Sequence, residues 1–201
     1  MSLTSATIFG SVALLPGEPP VVCRDTMAAR WWARPASRWL ARREARALQA
    51  LAGDQAFPAL LRWDGRRLLR SAIQGATMRE MRPRDPGYFR QALRVLSRMH
   101  QRGVAHNDLA REPNWLVTPQ GAPAVIDFQL AWYDAARGRL FRLMAREDLR
   151  HLLKHKRHYC PERLTARQRH LLAQPSLVAR LWRFTLHPAG RGMRRWLAPR
   201  H

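Results

Sequence analysis

Four polar residues whose side chains could act together lie within one short stretch, GVAHNDLAREPNWLVTPQGAPAVIDFQLA, residues 103–131. They are His106, Asp108, Asn114 and Asp127. An amide oxygen beside a carboxylate is a hard-oxygen ligand set, which suits a Mg²⁺ ion that keeps several waters and bridges substrate phosphates. Asp108 could then act as a base or orient a substrate. The alternative is that these residues are the turn-capping Asn and Asp that loops commonly carry.

The segments between these residues predict how the side chains would be brought together. WLV and AVI are short apolar strands, and the connecting TPQGAP favours a turn through its Pro and Gly. In an antiparallel hairpin, Asn114 precedes the first strand and Asp127 follows the second. We therefore expect their side chains to meet at the open end of the hairpin, with Asp108 in the loop just upstream.

The first third of the chain predicts strands and one helix. Residues 6–24 indicate strands interrupted by the turn PGEPP. A helix is expected from Ser37, as its N-cap, to Ala52, with Gly53 as the stop signal. The segment ALLRWDGRRLLRSAI then indicates a hairpin that turns at Asp64-Gly65.

The remainder of the chain is predicted to be mainly helical. DPGYFRQALRVLSRMHQRG indicates a helix that Asp85 caps, with Pro86 in its first turn and Gly103 as its stop. From about residue 140 the chain again has a helical pattern and is strongly basic. Strands with one helix followed by helices predict an α+β fold with a cleft between its halves.

Glu44 is a further candidate, because it lies on the apolar face of the first predicted helix. It shares that face with Leu40, Leu48 and Leu51. A carboxylate on a buried face is costly unless a cation meets it. Glu44 therefore either pairs with a cation or lies at the edge of the face and reaches solvent beside one of many arginines.

The spacing of HND, Asn114 and DFQ resembles the protein-kinase-like superfamily, in which an HxD…N…DFG pattern lines the phosphoryl-transfer site. The chain is most similar to small bacterial kinases of the lipopolysaccharide-core-sugar (Kdo-kinase-like) and RIO-like groups, from about residue 20 to residue 165. The segment LLKHKRHYCPERLT also resembles the tail of these bacterial sequences. The resemblance implies a two-lobed fold, with a small β-rich N-lobe containing one helix over residues 1–75 and a mainly helical C-lobe over residues 76–201.

The resemblance implies a role for each residue of the quoted stretch. Asp108 would accept or orient the proton of an acceptor hydroxyl, and His106 would brace the catalytic loop. Asn114 and Asp127 would hold Mg²⁺, and ATP would be the phosphate donor. Gln129 stands where the family has a glycine, and we expect it to stiffen the segment after Asp127, because only glycine turns freely through positive φ.

The same resemblance implies that Glu44 pairs with Arg24 of VVCRD, which stands where the family has a strand lysine that binds nucleotide phosphates. The chain contains no lysine before Lys154. A G-x-G-x-x-G loop is also missing, because IFGSVALLPGEPP supplies only two isolated glycines. The predicted nucleotide site therefore departs from the family at two points.

The composition is that of one soluble globular domain, or two small lobes, with a strongly basic balance. The net charge is +22, and of 36 basic residues only two are lysines. Such a charge predicts anionic partners: nucleic acid, acidic lipid or phosphorylated ligands. Cys23 and Cys160 fit no disulfide or metal spacing and indicate a reducing cytosol. The longest apolar run, ATIFGSVALL, is too short to cross a bilayer.

Two segments rich in Trp and Arg predict contact with an anionic surface. RWWARPASRWLARR contains Trp31, Trp32 and Trp39, and LWRFTLHPAGRGMRRWLAPRH repeats the mixture at the C-terminus. Trp with Arg favours a membrane–water interface, and nucleic acid is the competing partner. Trp39 is expected to fill the core instead.

A third basic segment, HLLKHKRH, carries His151, His155 and His158 on one helical face. We expect a solvated basic face there, with a metal site as the alternative. We expect Asp148 to cap this helix, and the alternative is that it braces the catalytic loop.

The resemblance implies an ATP- and Mg²⁺-dependent phosphotransferase in the bacterial cytoplasm, and the segments rich in Trp and Arg favour a peripheral position at the inner membrane. Its acceptor would be a hydroxyl on a lipopolysaccharide core sugar or lipid-linked precursor, or a protein Ser/Thr. The alternatives are a pseudokinase scaffold that binds nucleotide, membrane or a partner, and a RIO-like RNA-associated protein. The sequence indicates no oligomeric state.

Overall fold

The computed structural model describes residues 4–17 and 20–174. Its internal contacts divide the chain into two compact units, residues 1–163 and residues 164–201. The first unit is α+β, with a strand-rich lobe followed by a mainly helical lobe, as the order of the predicted elements indicated.

The strand-rich lobe contains a five-stranded antiparallel sheet in the spatial order β1-β2-β3-β5-β4. The strands are β1 (Thr4–Thr7), β2 (Gly10–Leu15), β3 (Val21–Asp25), β4 (Leu60–Trp63) and β5 (Arg67–Ser71). The expected hairpin at Asp64-Gly65 is confirmed, since β4 pairs with β5. Asp64 stabilises the turn by accepting hydrogen bonds from the backbone N–H groups of Arg66 and Arg67, at 2.9 and 2.7 Å.

Helix α1 (Arg34–Ala50) begins before the expected start, because a 3₁₀ turn at Trp31–Ala33 leads directly into it. The prediction of Ser37 as N-cap is therefore wrong. Ser37 lies within the helix and is buried, and its hydroxyl donates a hydrogen bond to the carbonyl oxygen of Phe9 at 2.6 Å. The Ser37 hydroxyl, which local propensity would place at a helix N-terminus, is therefore bonded to the turn between β1 and β2.

The helical lobe contains helices α2 (Met78–Met81), α3 (Pro86–Gln101) and α4 (Arg139–Tyr159). Its short strands are β6 (Ala76–Thr77), β7 (Val104–Ala105), β8 (Trp115–Val117), β9 (Pro123–Val125) and β10 (Trp132–Tyr133). They form a β6-β8-β9 sheet and a β10-β7 pair, all antiparallel. The last strand of the five-stranded sheet ends at Ser71, and β6, the next strand along the chain, pairs with β8 of the helical lobe. We therefore propose a lobe boundary near residue 75.

The limits of α3 follow from its terminal residues. Asp85 is the N-cap and accepts a hydrogen bond from the backbone N–H of Gly87 at 2.7 Å, and Pro86 begins the helix. After the helix, Gly103 has φ of +74°, a conformation that glycine adopts without strain. The chain can therefore leave α3 and enter β7, which carries it to His106.

The core that supports the quoted stretch includes Leu48 of α1 and Phe89 of α3 together with Trp115 and Phe128. All four side chains are fully buried. Burial of one such side chain stabilises a fold by about 1.5–3 kcal/mol. Because Trp115 directly follows Asn114 and Phe128 directly follows Asp127, their burial fixes the backbone from which the two candidate ligands extend.

In the second unit the structure describes helix α5 (Ala166–Ala173), which Thr165 and Gln168 stabilise through a capping box. The C-terminal Trp- and Arg-rich segment lies outside the described residues. Cys23 and Cys160 are free thiols, as expected. In the described part of the chain, no helix has the length and apolar character needed to cross a membrane.

Candidate active site

The loop that carries His106, Asn107 and Asp108 is held by the buried carboxylate of Asp148 in α4. One carboxylate oxygen accepts a hydrogen bond from the backbone N–H of His106 at 2.7 Å, and the other accepts one from that of Asn107 at 2.9 Å. His100 contacts the same carboxylate at 3.3 Å. Asp148 lies in the middle of α4, so the expectation that it caps a helix is wrong, and the alternative of a brace is confirmed.

Asn107 allows the loop to turn sharply at this brace. Its φ is +66°, in the left-handed region where Asn is one of the few tolerated side chains. Its side-chain amide donates a hydrogen bond to the carbonyl oxygen of Leu130 at 3.0 Å. The loop is thereby joined to the segment that follows Asp127.

His106 links the same loop to the end of β9. Its Nε2 lies 2.9 Å from the carbonyl oxygen of Ile126, and its Nδ1 lies 3.3 Å from the backbone nitrogen of Asp108. A carbonyl oxygen only accepts and a backbone N–H only donates, so Nε2 is the donor to Ile126 and Nδ1 is the acceptor from Asp108. The ring is fully buried and packs against Phe128, with 4.8 Å between centroids. His106 therefore positions the residues on either side of it.

The predicted hairpin is confirmed, and it begins next to Asp108. Strands β8 and β9 are antiparallel, and the backbone N–H of Ile126 donates to the carbonyl oxygen of Asn114 at 3.0 Å. The Asn114 side-chain nitrogen donates to the backbone oxygen of Asp108 at 2.8 Å and to its carboxylate Oδ2 at 3.0 Å. Since both acceptors lack a proton, the nitrogen of the amide must face them, and its oxygen remains available to a cation.

Two features of Asp127 each raise the free energy of the folded chain. Its φ and ψ are +68° and +67°, a left-handed conformation that stores about 1 kcal/mol or more in a residue with a side chain. Its carboxylate Oδ1 is buried and has no hydrogen-bond partner among the described residues, although buried polar atoms are nearly always satisfied. A cation bound at Asp127 would satisfy this oxygen.

The donor set fits magnesium better than a metal that needs a protein cage. Among the described residues there is no cluster of three or more His, Cys, Asp or Glu that could hold a metal. Mg²⁺ commonly uses one or two carboxylates together with waters and substrate phosphates. Asp127 and the amide oxygen of Asn114 are consistent with that requirement.

The conformation of the segment after Asp127 is defined, while the stiffening expected from Gln129 stays a prediction. Residues 128–130 form a single 3₁₀ turn, closed by a hydrogen bond from the N–H of Ala131 to the oxygen of Phe128 at 3.0 Å. Within residues 127–130, only Asp127 has a positive φ. The left-handed step therefore falls on the candidate ligand.

In the strand-rich lobe, the ion pair expected between Arg24 and Glu44 is present, with 3.2 Å between Nη1 of Arg24 and Oε2 of Glu44. The sequence interpretation missed a second partner, Arg70 of β5, whose Nε lies 3.0 Å from the other carboxylate oxygen of Glu44. A signal existed, because Arg70 is two residues from the fully buried Leu68 and side chains two apart on a strand share a face.

Arg43 was also missed, and it joins α1 to the segment that follows Asp127. Its guanidinium donates to the carbonyl oxygens of Ala131 and Leu130 at 3.0 and 2.9 Å. The same guanidinium lies over the ring of Trp39 at 4.5 Å and near that of Trp132 at 5.7 Å. Trp39 is 54% exposed, so the expectation that it fills the core is wrong. The buried face of α1 is the Glu44 face, and Trp39 lies on the other side.

A short turn, and not a glycine-rich loop, connects β1 and β2. Thr7 pairs with Gly10, so only Ile8 and Phe9 connect the strands. Their carbonyl oxygens accept hydrogen bonds from the backbone N–H of Arg30 at 3.3 Å and the hydroxyl of Ser37 at 2.6 Å. The turn is therefore short and attached to the start of α1.

The three histidines of α4 do not form a site. His155 is buried and donates from Nε2 to the carbonyl oxygen of Leu109 at 2.8 Å. Burial lowers the pKa of His155 and that of His151 below the usual value. His155 thus holds the residue that follows Asp108, while His158 is exposed.

A cavity of 1290 Å³ lies away from these residues, between the 53–59 segment, residues 71–74, α3 and the turn at 118–124. None of the six candidate residues lines it. The size of a cavity alone therefore does not identify the candidate active site. We assign that site from its buried polar groups.

Comparisons with known proteins give a result at the level of the fold. No protein-family model and no curated protein sequence matches the chain. The structure is similar to the Rio2 kinase from Chaetomium thermophilum, with a TM-score of 0.61 and 14% identity, over 86% of this chain and 61% of that one. It is also similar to the Rio2 kinase–ADP/Mg²⁺–phosphoaspartate complex from the same organism, with a TM-score of 0.60 and 14% identity, over 94% and 66% of the two chains.

The chain therefore has a protein-kinase-like two-lobed fold. It spans slightly less than two thirds of the length of the Rio2 chains to which it is similar. The expected resemblance to RIO-like kinases is confirmed for the fold, and these structures do not bear on the lipopolysaccharide-core-sugar group.

Proposed function

We propose that this chain is an ATP- and Mg²⁺-dependent phosphotransferase that acts on a hydroxyl group. The proposal rests on Asp127, whose buried Oδ1 lacks a partner and whose backbone is held in a left-handed conformation. In this proposal Asp127 and Asn114 hold Mg²⁺, which when bound neutralises charge on the transferred phosphate. The similarity to a Rio2 structure that contains ADP and Mg²⁺ supports the same donor and metal.

Asp108 accepts or orients the proton of the acceptor hydroxyl. The Asn114 amide holds its Oδ2, and no hydrogen bond to its Oδ1 is formed by a described residue. A positioned base of this kind contributes roughly 10²- to 10⁴-fold to a rate. His106 and Asp148 position the loop, and Arg24, oriented by Glu44, binds the nucleotide phosphates.

Nucleotide binding is tested by the thermal shift of the full chain with ATP and Mg²⁺, together and separately. At about 100 times its Kd, a ligand stabilises a fold by roughly 2.7 kcal/mol, which corresponds to about 5–10 °C for a chain of this size. Asp127→Asn should remove the Mg²⁺-dependent part of the shift. Asp64→Asn, in an exposed hairpin turn, is the control and should retain it.

Catalysis is tested by single-turnover assays with labelled ATP. Asp108→Ala should abolish transfer while the shift with ATP and Mg²⁺ remains. Transfer that survives Asp108→Ala would refute the role of Asp108, and a wild-type chain that shows no shift with ATP at any Mg²⁺ level would refute the function itself.

A pseudokinase scaffold is the second candidate. Two observations favour it: the family lysine is absent, and the β1–β2 turn is short and attached to α1. A pseudokinase predicts a thermal shift with nucleotide and no turnover in the single-turnover assay. The retained Asp108, Asn114 and Asp127 favour the enzyme, because a binding scaffold does not require a base beside two metal ligands.

The acceptor that we propose is a hydroxyl on a lipopolysaccharide core sugar or lipid-linked precursor, with protein Ser/Thr as the second class. The enzyme would then act in the cytoplasm, peripheral at the inner membrane. Trp31, Trp32 and Trp39 support this, being 78%, 54% and 54% exposed on a chain of net charge +22. Exposed Trp beside Arg suits the interface of an anionic bilayer. A RIO-like RNA-associated role is the alternative for the same surface.

A further inference from the structure

Arg70 occupies an unusual place for a charged residue. It lies on β5, in register with Val22 of β3, and it shares a strand face with the fully buried Leu68. Its side chain is only 14% exposed, and its Nε lies 3.0 Å from Glu44 Oε1. An inward position on a sheet ordinarily carries an apolar side chain, so the guanidinium at this position requires an explanation.

Pairing with Glu44 alone does not explain it, because Glu44 already has a partner. The Arg24 side chain is 6% exposed and contacts the other carboxylate oxygen, while the Glu44 side chain is 2% exposed. Arginine stays protonated in proteins, so two positive charges face one negative charge. In the described part of the chain, neither Arg24 nor Arg70 forms an ion pair with an acidic residue other than Glu44.

The imbalance is accompanied by an unused donor. The Nε of Arg24 is buried, and no residue within 4–17 or 20–174 forms a hydrogen bond with it. A buried donor without an acceptor destabilises the fold, and a net positive charge out of water costs more. An anion bound beside the two arginines would offset both costs.

We propose that Arg24 and Arg70 together form an anion subsite that binds the diphosphate part of a nucleotide, including in the absence of Mg²⁺. The proposal rests on the proposed function for the identity of the ligand. Two guanidinium groups present planar forks of donors that match phosphate oxygens, and Glu44 holds both by opposite oxygens. Arg70 is thus a binding residue that compensates for the missing lysine.

The test is isothermal titration of the full chain with inorganic pyrophosphate and with ADP, in EDTA. The wild-type chain should bind both. Arg70→Gln and Arg24→Gln should each weaken binding by about tenfold or more, the effect of losing a charge-assisted hydrogen bond. Arg70→Lys should restore part of the affinity, because it keeps the charge and loses the fork.

Arg67→Gln is the matched control. Arg67 is on the same strand and also pairs with a carboxylate, Asp25 at 3.0 Å, but its side chain is 65% exposed. It should bind pyrophosphate as the wild type does. Circular dichroism of each variant establishes whether it folds. If Arg70→Gln does not fold, the titrations of the wild-type chain and of Arg70→Lys test the anion subsite.

The inference is overturned if the wild-type chain fails to bind pyrophosphate in EDTA, or if a folded Arg70→Gln or Arg70→Lys binds it as well as Arg67→Gln does. Turnover with ATP and Mg²⁺ on the same proteins separates this result from the proposed function. Pyrophosphate binding that depends on Arg70, without any turnover, would support the subsite and contradict the phosphotransferase. Turnover that is equal in Arg70→Gln and Arg67→Gln would contradict the subsite alone.

Discussion

Replacing Asp148 with Ala tests whether one buried carboxylate sets the geometry of the loop that carries His106 and Asp108. The side chain is 1% exposed and accepts hydrogen bonds from the backbone N–H groups of His106 and Asn107. Alanine would leave both N–H groups without partners. Water cannot reach them freely, so each costs about 1–3 kcal/mol, or about 4 kcal/mol together.

For a chain of this size, about 4 kcal/mol lowers the melting temperature by roughly 8–16 °C. Turnover should also fall, by about 10²-fold at a temperature where the variant is folded, because a shift of the loop misplaces Asp108. Asp148→Asn should have a smaller effect, since its amide oxygen can still accept one of the two hydrogen bonds while its NH₂ group faces the other donor.

The measurements are thermal unfolding followed by circular dichroism and the single-turnover assay. Asp64→Ala is the control, because Asp64 also accepts two backbone N–H groups but is exposed, and water replaces the lost acceptor. A melting temperature for Asp148→Ala equal to that of Asp64→Ala would refute the brace. Full turnover in a destabilised Asp148→Ala would refute its influence on Asp108.

Two further predictions concern pH and the exposed tryptophans. Burial lowers the pKa of His155 below 6.5, so the unfolded chain binds the proton more readily and stability is lost as the pH falls below about 6.5. His155→Gln should therefore reduce the fall in melting temperature between about pH 7.5 and 5.5. Vesicles with anionic lipid should sediment the protein, less so at high salt, and replacing Trp31 and Trp32 with Ser should weaken this about tenfold, unlike Leu61→Ser. Equal binding to neutral vesicles, or tighter binding to RNA at matched salt, would contradict the membrane proposal.

Much of the fold was predictable because its signals are local. Asp85 with Pro86 starts α3, Gly103 ends it, and Asp64-Gly65 turns the first hairpin, all as expected. These residues act through their own backbone conformation or through neighbours a few positions away. The hairpin between Asn114 and Asp127 was predictable for the same reason.

The errors occurred where a distant residue decided the outcome. Ser37 has the local propensity of an N-cap, but its hydroxyl binds Phe9, 28 residues away. Asp148 also resembles a cap, but its partners are in the loop 41 and 42 residues upstream. Trp39 is a different case, because the apolar face that contains Glu44 already indicated that Trp39 points the other way.

The sequence by itself determined which side chains could do chemistry and the order in which they occur: HND, then Asn114, then Asp127. It also indicated that Glu44 either pairs with a cation or reaches solvent at the edge of the apolar face. Only the tertiary structure decided that Glu44 is buried between Arg24, the partner expected from the resemblance, and Arg70, which was not expected. It alone also decided that Asp127 carries both the left-handed backbone and a carboxylate oxygen without a partner among the described residues. The physical reason is that ion pairing and burial depend on how strand register and helix docking bring distant residues together, and no local propensity encodes that distance.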